Sequence, residues 1–317
     1  MEKMIQLPKG IFTLSIDTEL AWGTRGRASL RPDYERTRVV IDRLLGLCEK
    51  YHIAATWAVV GHLFLDHCEP VNGVKHPEIM SPRSDWFSVD PATDVQTDPI
   101  WYGKDIVEKI RSCKVPQEIG CHTFSHVRAD DPGCSEACFE SELRACQSIA
   151  VLQALPKLTS FVYPENVVRH VPLLSRNGFT AYRGPDNTWY RHAPGLLKRV
   201  AHVVDEYALI PARTVMPKFE DGIWNIPGSY YYPHRHGWGK GLPVMARVRK
   251  VVKGIDEAMQ QKRVFHLWFH PFNIASDPNG LIGGLEMIFK VVDAARKSQD
   301  LEQLTMRQIV DICQPRL

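Results

Sequence analysis

Three short apolar runs in this chain each end on a side chain that can carry a proton or bind a metal. The first, Ile11 to Ile16, is rich in β-branched residues and closes on Asp17, Thr18 and Glu19. The second ends at His122, within Glu118-Ile119-Gly120-Cys121-His122-Thr123-Phe124-Ser125-His126. The third, Val264 to Phe269, ends at His270 in front of Pro271. Runs like these read as strands buried on both faces, which belong to parallel sheets. Polar groups at their C-terminal ends lie where α/β folds place their chemistry.

The rest of the chain fits that frame. Helical spacing covers Tyr34 to Tyr51, Lys104 to Ser112, Ser135 to Leu155, Ala246 to Lys262 and Gly284 to Lys297, and a further helix ends over Leu173 to Gly178. Strands are expected at Ile53 to Val60, Glu118 to Cys121, Thr159 to Tyr163 and Thr180 to Arg183. Residues 66–103 and 184–240 show no period. Alternation of this kind predicts an α/β fold, with a parallel sheet closed into a distorted (β/α) barrel. A length of 317 residues suits one large domain spanning 1–317.

At the strand ends two readings compete. If a helical turn begins at His122, the His122 and His126 imidazoles share a face and make half of a divalent-metal site. Alternatively they are partly exposed histidines that cap a helix. Asp17 and Glu19 are two residues apart and point the same way while the backbone stays extended. Either Asp17 or Thr18 could instead be a helix N-cap, but Ala21 to Gly26 resembles a loop more than a helix start. His270 ends its strand within reach of a reacting group, whereas His266 reads as a satisfied core histidine.

Taken in this order, the three segments resemble the polysaccharide deacetylase superfamily, carbohydrate esterase family 4, with its NodB-homology domain. The His-(Ser/Thr)-x-x-His motif is matched in full by His122-Thr123-Phe124-Ser125-His126. The Asp-Asp motif corresponds to Asp17-Thr18, with Glu19 as a substitute ligand, and the late Leu-x-His motif corresponds to Trp268-Phe269-His270. The Arg-x-Pro motif keeps Pro164 but has Val162 where the arginine belongs, and Gly222 to Pro227 stands for the tryptophan-bearing segment. Ala55 to Gly61 resembles the second strand. The resemblance spans about residues 10–275 and implies a barrel of about seven strands.

It further implies a metal-dependent N-deacylase of an amino sugar. A divalent ion, zinc by preference, would sit on His122, His126 and Glu19. Asp17 would be the general base and His270 the general acid, with the roles of Asp17 and Glu19 open to exchange. Arg183 would replace the missing arginine beside Asp17, with Asp186 as its polar neighbour. Trp86, Trp101, Tyr231 and Trp238 are candidate sugar platforms, and Arg235, flanked by His234 and His236, is a candidate phosphate contact. A deformylase or small-amide hydrolase of the same fold, or a catalytically silent sugar-binding barrel, are the alternatives.

Charge argues against nucleic acid as a partner. There are 39 Lys and Arg against 36 Asp and Glu, a net charge of +3, with no basic run. No stretch approaches the roughly twenty apolar residues of a membrane span, and Met1 to Gly10 has no apolar signal core. The eight cysteines form no Cys-x-x-Cys pair, so they read as reduced thiols rather than a zinc ribbon. A cytoplasmic enzyme acting on a nucleotide- or lipid-linked N-acyl sugar in surface-polysaccharide assembly is the expectation.

Overall fold

The computed structural model describes residues 6–186, 212–232 and 241–314, with the single positions 188, 194, 197, 201 and 205 between them. Trp238, His234, Arg235 and His236 lie outside the described residues.

One curled, mostly parallel sheet organises the chain. Its strands are β1 (Gly10–Thr18), β2 (Thr56–Val59), β3 (Glu118–Cys121), β4 (Ser160–Val162), β5 (Ala181–Arg183), β6 (Lys218–Glu220), β7 (Ile223–Asn225), β8 (Tyr230–Tyr231), β9 (Val264–Phe269) and β10 (Leu301–Gln303). The order is β6-β7-β5-β4-β3-β2-β1-β9-β8. β10 pairs with Gly10 to Phe12 of β1, below the stretch Ser15 to Thr18 that pairs with β2. Among the strands of the described residues β6 and β7 pair antiparallel, and Val215 makes an isolated antiparallel bridge to Val264 of β9. This is the distorted (β/α) barrel expected, with β6 and β8 at the two ends of the strand order among the described residues. The short strands β6, β7 and β8 come from a stretch the sequence presents as aperiodic, because pairs and triplets of residues are too short to show a period.

Side-chain parity sorts the two faces of the sheet. Phe12, Leu14 and Ile16 of β1, Phe265, Leu267 and Phe269 of β9, and Phe161 of β4 belong to the large core under the flanking helices Arg31–Tyr51, Glu136–Leu152, Val244–Gln261 and Pro278–Lys297. The alternate residues Ile11, Ala58, Val162, Ala181, Trp224 and Val264 form a second core on the other face, completed by Met306, Ile309 and Val310 of the helix Met306–Cys313. That helix has a capping box between Thr305 and Gln308, which satisfies its first free amides. Since strand residues alternate between faces, the second-core parity of β1 continues through Thr13 and Ser15 to Asp17. In β9 it continues through His266 and Trp268 to His270. Both strands thus carry their ionisable ends on the concave side.

Candidate metal and catalytic site

Asp17, His122, Arg183 and His270 stand at the C-terminal ends of β1, β3, β5 and β9. Glu19 follows β1 directly and is 3% exposed. Its Oε1 lies 3.0 Å from His122 Nε2, 3.2 Å from His126 Nε2 and 3.2 Å from His270 Nε2. The turn that follows presses Gly23 onto this carboxylate. A Cβ at position 23 would stand 1.6 Å from Glu19 Oε2, so only glycine allows the approach.

His122 and His126 converge, with ring centroids 5.0 Å apart, but not through a helical turn. The segment leaves β3 as an irregular turn with Thr123 at φ 56° and His126 at φ 58°. Positive φ is costly for a β-branched residue, and the surroundings hold it there. Gly61 N–H donates to the Thr123 carbonyl (2.8 Å) and His62 N–H to the Phe124 carbonyl (2.9 Å). Buried Glu142 accepts from the Ser125 amide (2.7 Å) and hydroxyl (2.5 Å), and Trp86 Nε1 donates to Ser125 Oγ (2.7 Å).

The tautomer of His122 bears on the cation question. Its Nδ1 donates to the Val162 carbonyl at 2.8 Å, so a neutral ring turns the bare Nε2 toward Glu19. A lone pair facing a carboxylate needs a proton or a cation between them. In a tetrahedral site with bonds of about 2.0–2.2 Å, ligand atoms stand about 3.2–3.6 Å apart. The separations of 3.0 and 3.2 Å around Glu19 Oε1 approach that spacing. The donor set therefore fits a divalent ion.

Asp17 has a different partner. Arg183, 1% exposed, donates from Nη1 to Asp17 Oδ1 (2.7 Å) and from Nη2 to Oδ2 (2.6 Å). Nη1 also donates to Ser15 Oγ (2.8 Å), Nη2 to Asn166 Oδ1 (3.0 Å), and the Arg183 guanidinium carbon lies 4.1 Å from the Trp268 ring centroid. Val162 and Arg183 are register partners on β4 and β5. Arg183 thus stands level with position 162, one strand over.

Electrostatics separate the groups. Burial alone would raise the Asp17 carboxyl, but the Arg183 charge and hydrogen bonds hold it below its ordinary value. Burial likewise opposes ionisation of Glu19, and the charges of His270 and His126, with the close approach of the His122 and His126 rings, bring it well below the usual range. For His270 burial favours the neutral ring, yet Glu19 and Asp17 raise its affinity for the proton. His270 Nε2 is 3.7 Å from Asp17 Oδ2. On its other side, Asn273 Nδ2 lies 3.2 Å from Nδ1 and donates to Tyr231 Oη at 2.7 Å. Nε2 thus faces the carboxylates and Nδ1 faces the Asn273 side-chain amide. His266 is the core histidine expected. It is fully buried, bonded to Ser15 Oγ (2.9 Å) and the Pro227 carbonyl (3.1 Å), and burial with the Arg183 charge pushes it down to about 3.

A cavity of 240 Å³ opens over these groups, lined by Asp17, Glu19, Gly23, Thr24, His126, Glu165, Asn166, Arg183, Trp268, His270 and Phe272. Tyr231 and Trp268 pack with ring centroids 4.7 Å apart, and Trp268 Nε1 donates to Asp186 Oδ1 (2.8 Å). Burial raises the Asp186 carboxyl to about 6, against the pull of Arg183. Trp101 is a correction. It packs edge-on against Trp22 (5.2 Å) and against Gly26, is 8% exposed, and is not among the residues lining the cavity. Trp86 is likewise 5% exposed and pinned to Ser125. No lining residue comes from 66–103, because the aromatic side chains of that segment bury more apolar area in the core than a cavity rim would offer. Thr24, Asn166, Phe272 and Asn273 are members that sequence reasoning missed. Of these, Asn166 had a signal, since it follows the Pro164 of the weak third motif.

No family model matches this sequence, and no curated protein matches it. Solved structures do match. A protein assigned as a polysaccharide deacetylase from Mycobacterium smegmatis superposes with a TM-score of 0.65 at 14% identity, covering 99% of this chain and 94% of that one. Another so assigned, from Pseudomonas aeruginosa PAO1, superposes with a TM-score of 0.62 at 10% identity, covering 95% and 90%. The chain has the NodB-type polysaccharide deacetylase fold.

Proposed function

From that fold as premise, we propose that this protein is a metal-dependent hydrolase that removes an N-acyl group, acetyl by preference, from an amino sugar. The observation that carries the proposal is the meeting of three imidazoles on Glu19 Oε1 beside a separate, arginine-clamped Asp17. Glu19, His122 and His126 would hold the ion, and two imidazoles with one carboxylate suit zinc. When bound, such an ion supplies Lewis-acid polarisation of the amide carbonyl and an activated nucleophile at neutral pH.

The chain's own groups do the rest. Asp17 accepts a proton from the attacking water. Arg183 keeps it ionised and aimed, and leaves it free of ligand duty. His270 holds a proton on Nε2, where Glu19 and Asp17 stabilise the imidazolium, and delivers it to the departing amine. The Trp268 and Phe272 faces in the cavity supply apolar surface for a sugar ring, with Thr24 and Asn166 as polar contacts. Tyr231 supports Trp268 from behind.

A cavity of 240 Å³ is below the roughly 300–1,000 Å³ of pockets that enclose drug-sized ligands, which favours a single acylated residue over a polymer. All eight cysteines are free, which suits a reducing compartment and a nucleotide- or lipid-linked N-acyl sugar used in surface-polysaccharide assembly. The test measures free amine released from nucleotide-linked, lipid-linked and oligomeric N-acetyl sugars, by wild type and by His126→Ala. Release from the activated monosaccharides that His126→Ala abolishes is the expected result. Undiminished release by His126→Ala in chelator-treated buffer overturns the metal assignment. Turnover of long oligomers alone overturns the substrate assignment.

A further inference from the structure

A second cluster of ligand-bearing side chains lies apart from the cavity. His62, Cys68, His76 and Asp90 each offer one ligand atom, all within 4.8 Å of one another. His62 is fully buried, Asp90 is 1% exposed and His76 9%. Asp90 Oδ2 is the hub, 2.9 Å from His76 Nε2, 3.3 Å from His62 Nε2 and 3.4 Å from Cys68 Sγ.

His62 carries the argument. Its Nδ1 donates to the Trp101 carbonyl at 3.1 Å, which leaves Nε2 as the lone-pair nitrogen of a neutral ring. That Nε2 is buried and makes no well-aligned hydrogen bond, with Asp90 Oδ2 standing 3.3 Å away. It points into a space bounded by a carboxylate, a thiol and a second imidazole. Buried polar atoms without partners are rare and call for an occupant. Around a tetrahedral ion with bonds of about 2.0 Å to N and O and 2.3 Å to S, ligand atoms stand about 3.3–3.6 Å apart. Two of the three separations from Asp90 Oδ2 fall in that interval.

The setting explains what an ion would do. His62 sits in the 3-10 turn Gly61–Phe64 just beyond β2, while Cys68, His76 and Asp90 belong to the long segment 66–103, whose one helical element is the 3-10 turn Trp86–Val89. Such a stretch has little regular hydrogen bonding to fix it. The same rings pack on the catalytic turn, with His76 and His62 lying 5.0 and 5.7 Å from Phe124 and His62 lying 4.5 Å from Trp22.

We propose that His62, Cys68, His76 and Asp90 form a second, structural divalent-metal site, closed and tetrahedral, that fastens segment 66–103 beneath the His122–His126 turn. Two imidazoles, one thiolate and one carboxylate suit zinc, with cobalt as a faithful probe. Binding releases the Cys68 proton to solvent, since the thiolate is the ligand. Unlike the Glu19 cluster, this site contains sulfur, so the two can be told apart by spectroscopy.

The experiment loads the full-length protein with cobalt(II) and reads metal per chain and the near-ultraviolet thiolate-to-cobalt charge-transfer band. In wild type the band appears. It persists in His126→Ala and disappears in Cys68→Ser together with one metal equivalent. If the Glu19 cluster binds no ion, wild type and His126→Ala both hold one equivalent and both keep the band, so failure of the catalytic assignment stays separate. Should Cys68→Ser not fold, alkylation of the Cys68 peptide in wild type, read by mass spectrometry, must be blocked by metal and restored by chelator. A cobalt-saturated wild type without the band, a band that survives Cys68→Ser, or Cys68 alkylation indifferent to metal overturns the proposal.

Discussion

The clusters around Glu19 and Asp90 are built alike and placed differently. In each, one carboxylate oxygen gathers imidazole nitrogens at 2.9–3.3 Å, and one histidine donates its Nδ1 proton to a backbone carbonyl, Val162 for His122 and Trp101 for His62. Such a bond fixes the tautomer and turns Nε2 toward the hub. The Glu19 cluster opens to a cavity that also holds Asp17, Arg183 and His270. The Asp90 cluster is walled by Phe87, Phe124 and Tyr102. Its fourth donor, Cys68, takes the position that an open site would leave to substrate. On the proposed reading, what separates a catalytic centre from a mere ligand set is an open side with a base and an acid next to it.

The sharpest way to break this comparison is Asp17→Asn. The amide keeps the shape of the side chain and removes the base, so turnover should fall about 10²–10⁴-fold while both clusters keep their metal. Turnover assays with metal analysis check it. Loss of one equivalent in Asp17→Asn would mean that Asp17, not Glu19, is the ligand.

Arg183→Met acts on the same carboxylate through its partner. It leaves the Asp17 charge buried and unpaired, which should cost about 3–5 kcal/mol of stability at neutral pH. The sign follows from the lowered carboxyl of Asp17. The ion pair stabilises the fold above the ordinary carboxyl value of 3.8 and stops doing so as pH falls through the lower folded value. Urea unfolding should therefore show a wild-type advantage that is full at pH 7 and shrinks in acid. An advantage that grows on acidification would contradict the assigned ionisation.

Asp90→Asn is the counterpart in the closed cluster and the smallest of the three effects. It should lower stability by about 1–3 kcal/mol, as for a buried polar group that loses its partner. The turnover of the folded fraction should drop far less than in Asp17→Asn. Unfolding curves and active-fraction kinetics on one preparation decide between the roles, and a loss of turnover matching Asp17→Asn would make the two clusters one functional unit.

Much of this was legible in the chain because strand periodicity is local. An apolar, β-branched run with parity two announces a strand, and the parity that buries Ile11 on the concave face also delivers Asp17 there. Hence β1, β9, Asp17 and His270 could be read without a structure. The pairing of Val162 with Arg183 could not, because register between β4 and β5 depends on both strands and on the loops that join them. His122 and His126 stand out by their spacing, but the turn that brings them together is irregular rather than helical, held by Gly61, His62 and Glu142 from distant segments. Trp101 followed burial rather than its sugar-binding potential.

The Asp90 cluster marks the boundary most clearly. Its ligands at 62, 68, 76 and 90 follow no repeating spacing, so no motif search would collect them. The sequence alone determined which strands end in reactive groups and which face those groups take, because both depend on neighbours one or two residues away. Only the tertiary structure decided which groups meet. A contact between Arg183 and Asp17, or between His62 and Asp90, is fixed by the packing of whole segments, and that free energy is spread over the core rather than written at either residue.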